Sequence, residues 1–343
     1  LIKFYIILFF LLFTNCSKDK IASKVIEEKE ELNLLQPLPE ILEFDPSPKK
    51  RGLYAEHYPA SNERRIDLFM SRIQDLGGGY IGVGTDQNFS FIAKAKSECA
   101  FLMDFDSEIV KVNQVHLFFW NLSKNYLEFK AFWNPKNKKT SQLLIQQQGG
   151  TLVNELLDGF KLGHTSNWVF NRLNELDYMH QKFGLVTFAH SEAEFQHIKK
   201  LIEKKRIRAV VGNLLGDKTM DNISFALKQI KCPVRILYTS NAEEYFSFPP
   251  AFRKNILNLY TDEKGVLLRT ITSGTKNKWG YPEGEKFPDA YPFHYNIQSL
   301  KNLKEWMRLK SNLSIYDIMN GRTPVTKGLS EIDKLPSEVG YVE

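Results

Sequence analysis

The spacing of apolar residues changes along this chain, and each change predicts an element. Over 62–73 it places Ile66, Phe69, Met70 and Ile73 on one helical face. Gly77, Gly78 and Gly79 then stop the helix. Tyr80, Ile81 and Val83 predict a strand, with Gly82 and Gly84 letting the backbone turn sharply after it. Phe89 to Lys96 reads as a helix, and Cys99 to Met103 as a short buried parallel strand. Helical spacing returns in Val112, Val115, Phe118, Phe119 and Leu122, and again over 141–148, 152–157 and 168–180. The stretch 110–184 is long for a strand-to-strand crossover. It predicts a helical insert, which either caps the ligand edge of a sheet or adds core. Further on, strands are expected at 185–189, 209–215 and 234–238, with amphipathic helices at 192–205 and 220–230. Segments 256–261 and 266–271 flank Asp262 to Gly265 and predict an antiparallel hairpin. Five alternating strands finished by a hairpin fit an α/β fold, a three-layer open sheet that is mostly parallel.

The first residues follow another rule. After Lys3 and Phe4 come nine apolar residues, Tyr5 to Phe13. A membrane-spanning helix needs about 20, so residues 1–15 read as a signal peptide. They end in Leu-Phe-Thr-Asn ahead of Cys16, which resembles the lipobox of bacterial lipoproteins in a loose form. That resemblance implies cleavage before Cys16 and acylation there, giving a membrane-anchored lipoprotein of the cell envelope, on the outer membrane. The other reading is a plain signal peptide with an incidental cysteine. Residues 16–50 are Lys/Glu-rich and then broken by Pro37, Pro39, Pro46 and Pro48, so a flexible tether is expected. The body is then expected over 51–310, with 311–343 a polar, turn-rich tail whose Ile315, Tyr316 and Ile318 can dock on the body.

Composition narrows the classes. At 43% hydrophobic and 25% charged, the 343 residues are ordinary for a globular chain. The net charge of +6 is too small and too scattered to indicate nucleic acid. Lys136, Lys138 and Lys139, and the run from Lys199 through Arg208, read as solvated faces, with a weak contact to an acidic polymer as the other reading. Besides Cys16 there are only Cys99 and Cys232. Their strands would not be neighbours in a doubly wound sheet, so buried free thiols are expected. No zinc spacing occurs.

The chemistry concentrates in 79–106. Asp104 follows Gly82 by 22 residues, which puts a carboxylate at the tip of the second strand, where it can accept from both hydroxyls of a ribose. The order of elements, this turn, the acid and the hairpin together resemble class I S-adenosylmethionine-dependent methyltransferases over about 76–106 and 185–272. The run Tyr-Ile-Gly-Val-Gly-Thr-Asp-Gln-Asn also looks like an uncharacterised bacterial family that includes spirochaetal lipoproteins. The methyltransferase resemblance implies a Rossmann-like domain binding S-adenosylmethionine or S-adenosylhomocysteine through Gly82, Gly84, Thr85, Asp86 and Asp104. Two departures stand out. The third glycine position is Asp86, and the acid usual before the first glycine is replaced by Tyr80 and Ile81. Asp86 would then contact the amino-acid part of the cofactor.

Methyl transfer is governed by alignment, with a base useful for hydroxyl or amine acceptors. His190, after the expected third strand, and Asn213, ending the expected fourth, are the catalytic candidates. A loop or capping role is the competing reading of each. His164 is a weaker candidate, and the spacing of His190, Glu194 and His197 argues against a metal. Two functions stay open: an enzyme or binder of an adenosyl-type small molecule, and a non-catalytic surface lipoprotein that binds host or matrix proteins.

Overall fold

In the computed structural model, described here for residues 36–41, 43–47, 57–272, 278–285 and 292–341, eight strands form one sheet. They are β1 (Gly79–Val83), β2 (Cys99–Asp104), β3 (Ile207–Val211), β4 (Val234–Ser240), β5 (Thr261–Thr272), β6 (Phe293–Ser299), β7 (Arg322–Thr326) and β8 (Leu329–Ile332). Their order is β3-β2-β1-β4-β5-β6-β8-β7. The first five run parallel; β6 is antiparallel to β5, β8 parallel to β6, and β7 antiparallel to β8. The α/β class is as expected.

Helices cover both faces. One layer holds α1 (Asp67–Ile73), α2 (Gln87–Ala95), α3 (Ser107–Leu122), α4 (Tyr126–Trp133), α5 (Lys138–Gln148), α6 (Val153–Lys161), α7 (Thr165–Phe183) and α8 (Glu192–Glu203). Its core is aromatic: Trp120 packs on Phe89, Phe129, Phe188 and Phe195. His116 is buried there, and burial pushes its pKa down to about 3. The other layer holds α9 (Thr219–Gln229), α10 (Pro250–Leu257), α11 (Leu300–Arg308) and α12 (Ile315–Ile318). The stretch 110–184 is helical and builds core, and both α3, through Asn113, and α7, through Arg172, also reach the turn after β1.

Several expectations need correction. Segment 185–189 is not a strand: Leu185 and Phe188 are buried, but they fill the aromatic layer from a loop and turn. The strand expected at 209–215 is β3, which starts two residues earlier and ends four residues earlier. Segment 256–261 ends α10 and leads into β5. No hairpin turns at 262–265, which stays within β5; the antiparallel partner is β6. The supposed tether docks before residue 50. Leu38 and Ile41 are buried, and Asp45 accepts the backbone N–H groups of Asp217, Lys218 and Thr219, satisfying the start of α9. In the supposed tail, β7 and β8 extend the sheet. Finally, Cys99 and Cys232 form a disulfide, with Cα atoms 7.2 Å apart. β1 does lie between their strands, but its residue there is Gly79, which has no side chain to separate the two sulfurs.

Candidate functional site

In a sheet of this order the chain leaves β1 and β4 toward opposite faces, and the crevice beyond their carboxyl ends is where such folds bind ligands. The turn after β1 borders it. Gly84 has φ of +83°, a conformation that favours glycine. Its N–H donates to Asp104 Oδ2 at 3.1 Å, and Asp104 Oδ1 accepts the Asp106 N–H at 2.9 Å. Asn113 of α3 donates to the Gly84 carbonyl at 2.8 Å. So Asp104 stands at the tip of β2 as expected and braces the turn. A Cβ at Gly84 would meet nothing within 4 Å. Beside it, Asp106 caps α3 through the Glu108 N–H and binds His57 Nδ1 at 2.7 Å.

The Gly82 side of the same turn is filled. A Cβ there would overlap Asn88 Oδ1 and the Tyr80 hydroxyl, which bond to each other at 2.6 Å. Thr85, Asp86, Gln87 and Asn88 are all buried, and every one is engaged inside the chain. Thr85 donates to Asp86 Oδ1 at 3.2 Å. Asp86 also accepts the Ser61 N–H at 2.7 Å and pairs with Arg172 Nε of α7 at 3.1 Å. Gln87 donates to Glu63 Oε2 at 2.9 Å and accepts from the Ser61 hydroxyl. Glu63 is fully buried, and its other oxygen takes the hydroxyls of Ser240 at 2.6 Å and Thr270 at 2.7 Å. Burial pushes the Glu63 carboxyl up, against the pull of those hydroxyls. Burial also opposes the Arg172 charge, but Glu175 and Asp86 raise its pKa overall. Arg172 donates to the Glu63 carbonyl at 2.6 Å, and Glu175 also receives Arg64. Segment 61–64 is thus bonded to the turn, to the ends of β4 and β5, and to α7.

The two catalytic candidates do not meet at this crevice. His190 follows no strand; it lies in the turn before α8, stacked on His180 at 4.1 Å and 3.3 Å from Asp177. Burial and His180 lower its pKa. Asn213 follows β3, the sheet's third strand in sequence and an edge strand, and its Oδ1 accepts the Leu215 N–H at 2.9 Å in a local turn. The residue ending β4 is Ser240, which is bonded to Glu63. Cys16 and the signal peptide lie outside the described residues. Among the described residues no helix is long and apolar enough to cross a membrane, and no group of His, Cys, Asp and Glu is placed to hold a metal. Two surface clefts of about 450 and 380 Å³ lie elsewhere, at Tyr178/Lys182/Tyr281 and at Phe225/Lys228/Tyr260.

An adenosyl cofactor can be tried against this geometry. At its nucleoside end, a Cβ on Gly84 would meet nothing within 4 Å, and Asp104 stands at the tip of β2 with each carboxylate oxygen accepting a backbone N–H. Its amino-acid end does not fit, because Asp86 is neutralised by Arg172 and the Gly82 side is packed with the chain's own atoms.

A family model described as a domain of unknown function (DUF7790) matches residues 58–333. The chain belongs to this DUF7790 family. No curated protein matches it. The DUF7790 match starts just before Ser61 and Glu63 and runs through β8, so the segment that fills the crevice and the strands beyond β6 belong to the domain itself. Sequence reasoning passed over Glu63, Arg172 and His57. Glu63 and Arg172 lie on helix-like or insert stretches where a lone charge reads as solvated, so only the tertiary pairing identifies them.

Proposed function

We propose that this chain is an exported lipoprotein, anchored through Cys16 to the cell envelope, on the outer membrane, whose α/β domain is a non-catalytic scaffold for host or matrix proteins. The observation that carries this reading is the Glu63–Gln87–Asp86–Arg172 network. It fills the place where the amino-acid end and sulfonium of a methyl donor would lie in a methyltransferase-type fold. The Cys99–Cys232 disulfide supports an oxidising compartment, which agrees with export.

A second reading is favoured by Gly84 and Asp104: an adenosyl-type ligand, S-adenosylmethionine or S-adenosylhomocysteine, held by its ribose. Calorimetric titration of the chain from residue 16 with both compounds separates the two. No saturable heat at millimolar ligand is the expected result and supports the scaffold. Micromolar binding that is lost in Asp104→Ala would overturn it and establish the ligand site.

A further inference from the structure

The two edges of the sheet differ in charge. At the carboxyl edge the acids are largely matched: Asp86 pairs with Arg172, Glu175 with Arg172 and Arg64, and Asp106 with His57. The amino edge carries lysines at the ends of the helices that lead into its strands. Lys96 follows α2 and precedes β2; Lys205 follows α8 and precedes β3; Lys231 follows α9 and precedes β4. All three have left-handed backbones, with φ of 51°, 55° and 54°. Glycine or asparagine usually takes that position. These strands sit within the adjacent set β3-β2-β1-β4, so the three helix ends share one edge about 14 Å across.

More cations join them. Lys200 is on the last turn of α8 and Lys204 caps its end, and Lys228 is on the last turn of α9. Of the neighbouring acids, Asp75 pairs with Lys96 at 2.8 Å, Glu203 with Lys199 at 3.6 Å and Asp262 with Arg235 at 2.8 Å, while Glu98 accepts the Gly78 N–H at 3.0 Å and Glu40 lies near Arg208. Lys200, Lys204, Lys205, Lys228 and Lys231 have no ion pair among the described residues and are exposed or half-exposed. Favourable placement at helix C-termini accounts for a positive charge there. It does not account for lysine, rather than glycine, at three left-handed positions on one edge.

The same edge receives the incoming chain. The Leu38 N–H donates to the Lys205 carbonyl at 3.1 Å, and Arg208 donates to the carbonyls of Leu38 and Pro39. Cys16 is 22 residues before Leu38. Fully extended, 22 residues reach no more than about 80 Å, so an acylated Cys16 would tether the domain to a bilayer by the chain that enters at this edge.

We propose that the amino edge of the sheet is a contact surface for an anionic lipid bilayer, seated through Lys200, Lys204, Lys205, Lys228 and Lys231. The domain then stands with its carboxyl edge, the Gly84–Asp104 corner and the filled crevice, facing away from the membrane. This inference extends the lipid-anchored reading, but its test does not require the anchor.

The chain from residue 16 carrying Cys16→Ser, which cannot be acylated, is floated with vesicles of phosphatidylcholine alone and of phosphatidylcholine with about one third phosphatidylglycerol. It should rise with the anionic vesicles at low salt, stay behind with the neutral ones, and be released by molar salt. Replacing the five lysines by glutamate should weaken binding at least tenfold, and replacing them by glutamine should weaken it less. These side chains are on the surface, and the glutamine set checks that the loss does not come from misfolding. Equal partition into both vesicles, unchanged binding of the glutamate variant, or binding to heparin but to neither vesicle would overturn the proposal. The mass of the N-terminal peptide from native membranes reports acylation separately. An unmodified Cys16 with intact vesicle binding would remove the anchor and leave the lipid-facing edge standing.

Discussion

The two halves of one glycine turn have opposite fates. Around Gly84 the backbone is open, and Asp104 braces it through the Gly84 N–H. Within the next four residues everything is closed: Asp86 is locked to Arg172, Gln87 to Glu63, and Asn88 to Tyr80. Both halves have the residue types of a ligand loop. The difference is what stands opposite. The Gly84 side faces a strand tip and a helix start. The Gly82 side faces segment 61–64 and α7, which supply a carboxylate, a guanidinium and a backbone N–H. A glycine turn therefore reports a close approach of something, and here the chain itself makes that approach on one side.

Substitutions sharpen this contrast, the largest effect first. Arg172→Ala leaves buried Asp86 without its cation and Glu175 with Arg64 alone, and should cost about 3–5 kcal/mol in urea unfolding. Gly82→Ala drives a Cβ into Asn88 and Tyr80 and should cost about 1–3 kcal/mol. Glu63→Gln probes the closed half by pH. Burial raises the folded pKa of Glu63 above the unfolded value of 4.5, so its stabilising contribution is complete below 4.5 and is lost as pH rises through the folded value. Across that window the wild type should lose up to about 1.4 kcal/mol per pH unit that the glutamine variant retains. Gly84→Ala has free space for its Cβ and meets only the strain of a positive φ, about 1 kcal/mol. If Gly84→Ala proved the more damaging glycine substitution, the assignment of open and closed halves would be reversed.

Much of the fold was legible. The β1–α2–β2 unit, α8, α9 and β4 follow from apolar period and turn glycines within a few residues. β6 was legible too but passed over: Phe293, Tyr295 and Ile297 alternate with His294, Asn296 and Gln298. The polar set is also buried, because Arg269 and Ser330 supply its partners. Segment 185–189 misled for the opposite reason, since a short apolar run fills a core equally well from a loop. Asp262 to Gly265 has turn chemistry, yet two residues of β4 stand against a longer stretch of β5, and the surplus is absorbed within the strand. At the site, Gly84 and Asp104 were found by spacing. Glu63 and Arg172 are 109 residues apart in sequence, and nothing local marks either as buried.

Hydrogen exchange at the Ser61 amide tests the closed half most directly. That N–H is donated to buried Asp86 at 2.7 Å. If segment 61–64 is a permanent part of the core, Ser61 should exchange only through global unfolding, with the same free energy as Ile81 in β1, and S-adenosylmethionine should leave it unchanged. Exchange through a low-energy local opening, or a change in protection on adding S-adenosylmethionine, would mean that the segment is a lid and that the crevice beneath it is a working ligand site.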